Sequence, residues 1–179
     1  MAKKWNLEPF GKWAVLRLPS GEAARLEEIA SGAGLVVEIY CPKLFVRRRV
    51  ASKRKPIMME IEAYPGYAFA RGEVDELRRL PQSRFGFVSL GGERALISED
   101  EVNGMRSFEA RWKDEAFASK EVREVPQFEA GERAVLRSDL FASPYVLVSI
   151  QQGDSVFVDV IGSSVRIKVS AFLLDRIQA

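Results

Sequence analysis

Apolar and polar positions along the chain fall into short runs separated by proline and glycine, and the period of each run assigns its element. Trp13 to Leu18 (WAVLRL) is apolar, short and closed by Pro19, which predicts a strand. Gly21 to Ala30 then repeats at helical spacing, with Leu26, Ile29 and Ala30 as its buried stripe, Ser20 as its cap, and Gly32 and Gly34 as its stop. Leu35 to Tyr40 (LVVEIY) reads as a strand that passes through Pro42 into a second, Phe45 to Val50 (FVRRRV). Tyr67 to Ala70 alternates aromatic and small residues, so period two sets Tyr67 and Phe69 on one face and Ala68 and Ala70 on the other. Val74 to Leu80 is a short helix, and Phe85 to Leu90 with Ala95 to Ile97 form a hairpin around Gly91-Gly92. Ser98 and Glu101 have capping-box spacing, so a helix opens there.

From Phe128 onward the pattern changes. The runs RAVLR, YVLVSI, VFVDVI and VRIKV are rich in β-branched residues and are broken at Gly131, Pro144, Gly153 and Gly162, which predicts a small β-barrel. The first part is an α+β sandwich on a mainly antiparallel sheet. Between them, Ser107 to Gln127 alternates charges, carries Phe108, Trp112 and Phe117 at helical spacing and ends at Pro126: a helix running into a linker. The expected division is 1–106, 107–127 and 128–179.

Charge supports this division. The 179 residues hold 27 basic and 25 acidic side chains, of which 18 and 14 lie in 1–106 and 9 and 11 in 107–179, or +4 against −2. There is no histidine, which excludes Ser/His/Asp and Cys/His nucleophiles and every histidine-containing zinc site. Cys41 is the single cysteine, too few for an internal disulfide or a cysteine-rich metal site, and is expected to be a small packed residue in a reducing cytosol. The first thirteen residues show no secretory signal, and no run approaches the roughly 18 apolar residues of a membrane helix, so a cytoplasmic protein is expected.

Gly32-Ala33-Gly34 follows a helix and precedes a strand, the reverse of a dinucleotide loop. Glu99, Asp100 and Glu101 suit a helix start better than a metal. No acid/base pair or activated nucleophile is found, and no cofactor or enzymatic activity is expected. Two features remain. The run Lys43, Arg47, Arg48, Arg49, Lys53, Arg54 and Lys55 has no acidic residue within it and is either a phosphate-contacting loop or a solvated hairpin tip. The aromatic segment Tyr64-Pro65-Gly66-Tyr67-Ala68-Phe69 turns at Pro65-Gly66 and is either plain core or a partner-binding patch.

Trp13-Ala14-Val15, Pro42-Lys43, Val46 to Arg49, Tyr64 to Phe69, Gly86-Phe87-Val88, Ile97-Ser98-Glu99, Glu101-Val102 and Phe128 to Glu132 stand in an order that resembles the NusG family of transcription elongation factors. The likeness runs from about Trp13 to the C-terminus, and its most specific element is the aromatic-Pro-Gly-Tyr-x-Phe segment after a basic hairpin. It implies a non-enzymatic, monomeric, cytoplasmic factor with an NGN domain and a KOW domain, which holds the clamp of RNA polymerase closed, suppresses pausing and acts in elongation or antitermination. Trp13, Tyr64, Pro65, Tyr67 and Phe69 would receive the clamp helices of the largest subunit. Lys43, Arg47, Arg48, Arg49, Lys53, Arg54 and Lys55 would face upstream or non-template DNA. Phe141 and Tyr145 would contact a second partner, Rho or NusE, through the KOW domain.

The chain departs from the family at Ser138-Asp139-Leu140-Phe141, which lacks Gly-Pro, and at Ser143-Pro144-Tyr145, which lacks a following glycine; those loops are expected to differ in shape. The stretch between Phe69 and Phe85 is short, and the leader Ala2 to Lys12 with Trp5 and Phe10 has no counterpart. These departures point to a specialised paralogue, carried by a phage or mobile element. Two rivals stand beside this reading: an RNA-binding sheet that stacks bases on Tyr67 and Phe69, and a structural component of a ribonucleoprotein.

Overall fold

The computed structural model describes residues 12–81, 85–90, 92–137 and 145–177. They form a mixed α/β protein with several antiparallel sheets, three α-helices and two compact units. One unit comprises Met1–Cys41 and Gly66–Asn103; the other comprises Pro42–Pro65 and Gly104–Ala179.

The first unit is built on an antiparallel sheet. β1 (Lys12–Arg17) lies beside β5 (Tyr67–Gly72), which pairs on its other side with β2 (Val37–Tyr40). Leu16, Ala68, Ala70 and Ile39 bury their side chains in one cluster with Ala23, Leu26 and Ala30 of α1 (Ala23–Gly32) and Leu77 of α2 (Val74–Arg79). Small residues on β5 are what let helices approach this closely. Helix α1 begins later than its pattern suggested: Glu22, and not the expected Ser20, stands at the N-cap position, and it makes no side-chain capping bond. Ala23 joins Leu26 and Ala30 in the buried stripe at spacings of three and four, and Ile29 lies half-buried at its margin.

Gly66 requires its residue type. Its φ is 88°, its carbonyl accepts from Leu18 N–H at 3.0 Å, and an added Cβ would meet the Leu18 oxygen at 3.2 Å. The Pro65-Gly66 turn thus brings β5 to β1 in register, Arg17 opposite Tyr67 and Val15 opposite Phe69.

The hairpin expected around Gly91-Gly92 is present in a divided form. β7 (Ser89–Leu90) and β8 (Glu93–Arg94) pair with each other, whereas β6 (Gly86–Phe87) and β9 (Leu96–Ser98) both pair with β1. β1 therefore competes with the local partner for the backbone groups of the outer strands, a choice invisible to a local pattern.

α3 (Glu99–Ala118) starts where the capping box places it. Ser98 N–H donates to Glu101 Oε2 at 2.6 Å, and Glu101 N–H donates to Ser98 Oγ at 3.2 Å. The helix continues through Phe108, Trp112 and Phe117 without a break at residue 107. Ser98→Ala is expected to lower stability by about 1 kcal/mol, the usual worth of such a cap; urea unfolding checks it, and a change within error of zero would mean the box does not hold the helix.

In the second unit, β3 (Lys43–Arg48) pairs with β4 (Ile57–Glu62), a strand the sequence pattern did not place. The C-terminal strands β10 (Arg133–Leu136), β11 (Tyr145–Gln152), β12 (Ser155–Val160), β13 (Arg166–Ser170) and β14 (Leu174–Arg176) form one antiparallel sheet in the order β13-β12-β11-β10-β14. Val146, Val148, Val156, Val158 and Leu136 alternate into its buried face, each worth about 1.5–3 kcal/mol of burial. This sheet is open, not a closed barrel: β13 and β14 are its two edges. After β13 a buried 3₁₀ turn at Ala171–Leu173 carries the chain to β14. Ser170 N–H, at the end of β13, donates to Ala63 O at 2.8 Å.

Among the described residues no helix is long and apolar enough to cross a membrane.

Candidate nucleic-acid interface

The basic run folds as one hairpin. Register from Lys43 opposite Glu62 to Arg48 opposite Ile57 puts Leu44 and Val46 on the buried face of β3, and Lys43, Phe45 and Arg47 on the other. β3's free edge is held as well: the Phe45 carbonyl accepts from Trp112 Nε1 at 3.0 Å and the Arg47 carbonyl from Arg123 N–H at 2.8 Å. The tip turns at Val50, whose carbonyl accepts from Lys53 N–H at 2.8 Å.

The seven cations divide by partner. Lys43 Nζ lies 3.6 Å from Glu60; Arg48 Nη1 lies 3.6 Å from Asp154, and the Arg48 guanidinium carbon lies 5.9 Å from the Phe172 ring centroid. Arg47 is half-buried, and its Nε is buried with no hydrogen bond. Arg49, Lys53, Arg54 and Lys55 are exposed and have no ion pair among the described residues. Four adjacent, unneutralised cations on a pinned hairpin form a surface for phosphate: they neutralise backbone charge and read no base sequence.

The aromatic set is distributed differently. Trp13 is fully buried and Phe69 is 4% exposed; both ring systems flank Tyr40, at 6.5 Å and 6.4 Å between centroids. Trp13 Nε1 donates to Glu99 Oε2 at 2.8 Å. Arg71 sits 4.9 Å above the indole and bonds Glu99 at 2.5 Å and Glu38 at 2.6 Å. Tyr40 and Arg71 were missed by sequence reasoning, although Arg71 continues the register of Tyr67 and Phe69 by one more step of two. Tyr67 is half-buried, and its carbonyl accepts from Cys41 Sγ at 3.6 Å. Tyr64 and Pro65 belong to the second unit and are buried. Tyr64 lines a small cleft with Pro42, Lys43, Met105, Phe108 and Leu173.

Of the pair assigned to a second partner, Phe141 lies outside the described residues, while Tyr145 is 50% exposed on β11. Leu147 and Ile161 are exposed beside it, since Tyr145 O accepts from Ile161 N–H at 3.0 Å.

Elsewhere the charges are structural. Arg94, 3.7 Å above the Phe87 ring, has its pKa pushed down to about 10 by burial and then by Arg78, which leaves it protonated at neutral pH. A hydrogen bond to Asp175 holds Arg137 above the ordinary guanidinium value, and Arg166 in the same way holds the Asp159 carboxyl below its usual range.

No protein-family model matches the chain, and no curated protein matches it in sequence. Among solved structures, NusG of Thermotoga maritima, in a structure concerned with its domain interaction, is 18% identical over 94% of this chain and 98% of its own, with a TM-score of 0.40. Conformation A of the MjSpt4:Spt5 complex matches at 14% identity over 93% and 97% of the two chains, with a TM-score of 0.28. Its conformation B matches at 13% identity over 94% and 97%, again with a TM-score of 0.28.

Proposed function

We propose that this chain is a non-enzymatic, NusG-like transcription elongation or antitermination factor that binds the RNA polymerase clamp and steadies nucleic acid beside it. The observation that carries the nucleic-acid half is the hairpin, with Arg49, Lys53, Arg54 and Lys55 exposed and without an ion pair among the described residues, beyond a strand pinned by Trp112 and Arg123. The polymerase half rests on the resemblance in the segment Tyr64 to Phe69. Within the first unit's share of that set, Tyr67 is the one half-exposed side chain, so it makes the contact while Trp13 and Phe69 support it from the core. An aromatic anchor on one unit and a screened basic hairpin on the other suit a factor that must hold a protein and a charged strand together. The C-terminal sheet is the KOW-like module, and its exposed Tyr145 serves a second factor.

The RNA-platform alternative needs Tyr67 and Phe69 open to bases, and the burial of Phe69 counts against it.

Binding to core RNA polymerase and to a paused elongation complex is the test. Tyr67→Ala is expected to weaken both by about tenfold or more, the scale of an aromatic anchor, with unchanged urea stability. Failure of the wild-type chain to bind polymerase at all removes the clamp assignment.

A further inference from the structure

One aromatic side chain lies where neither the core nor the proposed polymerase contact uses it. Phe117, in the last turn of α3, is 55% exposed. Its ring centroid lies 5.9 Å from that of Phe45 with the planes tilted by 52°. Lys113 sits one helical turn before Phe117 and holds its ammonium 5.1 Å over the Phe45 ring. Phe45 shares its strand face with Arg47, and two residues beyond Arg47 is the exposed Arg49. Along an extended strand, Phe45 to Arg49 covers about 13 Å in two steps. Glu60, opposite Phe45, is drawn to Lys43 at 3.6 Å, so this cross-strand carboxylate is already compensated. The Trp112–Phe45 hydrogen bond fixes the end of α3 against β3, so both rings are positioned before any ligand arrives.

We propose that Phe117 and Phe45, flanked by Lys113 and Arg47, form a stacking platform for an unpaired base of a single-stranded nucleic acid whose neighbouring phosphates lie on the hairpin cations. The proposal rests on the nucleic-acid reading of the hairpin and narrows it from phosphate in general to a strand with accessible bases. An exposed ring beside a basic track is suited to a base π-face, which every nucleotide offers and a closed duplex hides. The cations give affinity for either form of nucleic acid; the rings distinguish the two. Charge complementarity selects this occupant over an apolar protein segment, since the surface leading from the rings to the hairpin tip carries Arg47, Arg49, Lys53, Arg54 and Lys55.

The test uses the full chain with fluorescent oligothymidine and a duplex of equal charge, titrated at one salt concentration and then across a salt series. Phe117→Ala is expected to weaken oligothymidine binding by about 5- to 100-fold, the worth of one stacked base, and to leave duplex binding and both salt slopes unchanged. Phe117→Trp is expected to restore or exceed wild-type binding to the single strand. Because Phe117 is exposed, the circular dichroism melt of Phe117→Ala should overlay that of the wild type. Equal losses on single strand and duplex, or no loss on the single strand, overturn the platform. A hairpin variant lacking its four exposed cations that still binds as the wild type does would instead remove the reading beneath it, so the two failures are separable.

Discussion

Replacing Arg49, Lys53, Arg54 and Lys55 together by glutamine is expected to lower affinity for a short DNA duplex by three to four orders of magnitude at 0.1 M salt. Each phosphate contact contributes a slope of about 0.9 in log K against log salt, so four contacts contribute about 3.6. The same arithmetic makes the loss vanish as salt approaches 1 M, where counterion release no longer favours binding. The salt slope is therefore the decisive readout: it should fall by about 3 to 4 between wild type and variant. These side chains are exposed and lie on the hairpin's tip, so the unfolding transition should not move. Arg48→Gln is the internal control, because Arg48 already has Asp154 3.6 Å away and Phe172 beneath it. An unchanged slope in the fourfold variant would mean that the hairpin tip is solvated and meets no phosphate.

That partition of cations shows what sequence could and could not reveal. The run itself was plain, since seven basic residues without an intervening acid need no fold to be noticed. Which of them remain available was not, because Asp154 reaches Arg48 from over a hundred positions away in sequence. Local devices were legible for the same reason that they are local. Ser98 and Glu101 satisfy each other across one turn, and the Pro65-Gly66 turn follows from the freedom of one glycine. β4 escaped notice because Met58 interrupts an alternation that Ile57, Met59, Ile61 and the glutamates otherwise keep. The divided hairpin at residues 86–98 and the open C-terminal sheet depend on long-range pairing, which no window of a few residues encodes.

The aromatic set carries a similar lesson. Alternation correctly placed Tyr67 and Phe69 opposite Ala68 and Ala70, yet alternation alone could not say which face would be covered. The structure covers both: small residues admit the helices on one side, and on the other Trp13, Tyr40 and Phe69 gather beneath Arg71. Half-exposed Tyr67 lies at the end of this row, where a core residue can also touch a partner.

Trp13→Ala is expected to destabilise the first unit by about 3–5 kcal/mol, the range for removing a fully buried large aromatic side chain. Against a total stability of about 5–15 kcal/mol this is enough to leave a substantial unfolded fraction at moderate temperature. Trp13→Phe keeps most of the volume but loses the bond to Glu99, and should cost less, on the order of 1–2 kcal/mol. Urea unfolding followed by circular dichroism measures both. A Trp13→Ala chain within about 1 kcal/mol of wild type would contradict an indole sealed between Tyr40, Arg71 and Glu99. The result also governs how polymerase binding must be read. Loss of binding in Trp13→Ala follows from unfolding alone and places no residue in an interface. Loss in Tyr67→Ala at unchanged stability cannot arise that way, because removing a half-exposed ring leaves the Trp13 cluster in place. If the two variants lose polymerase binding in step with their unfolding midpoints, the aromatic segment serves as core and the clamp contact lies elsewhere. If Tyr67→Ala loses binding without a shift in midpoint, the anchor is Tyr67 and Trp13 is its support.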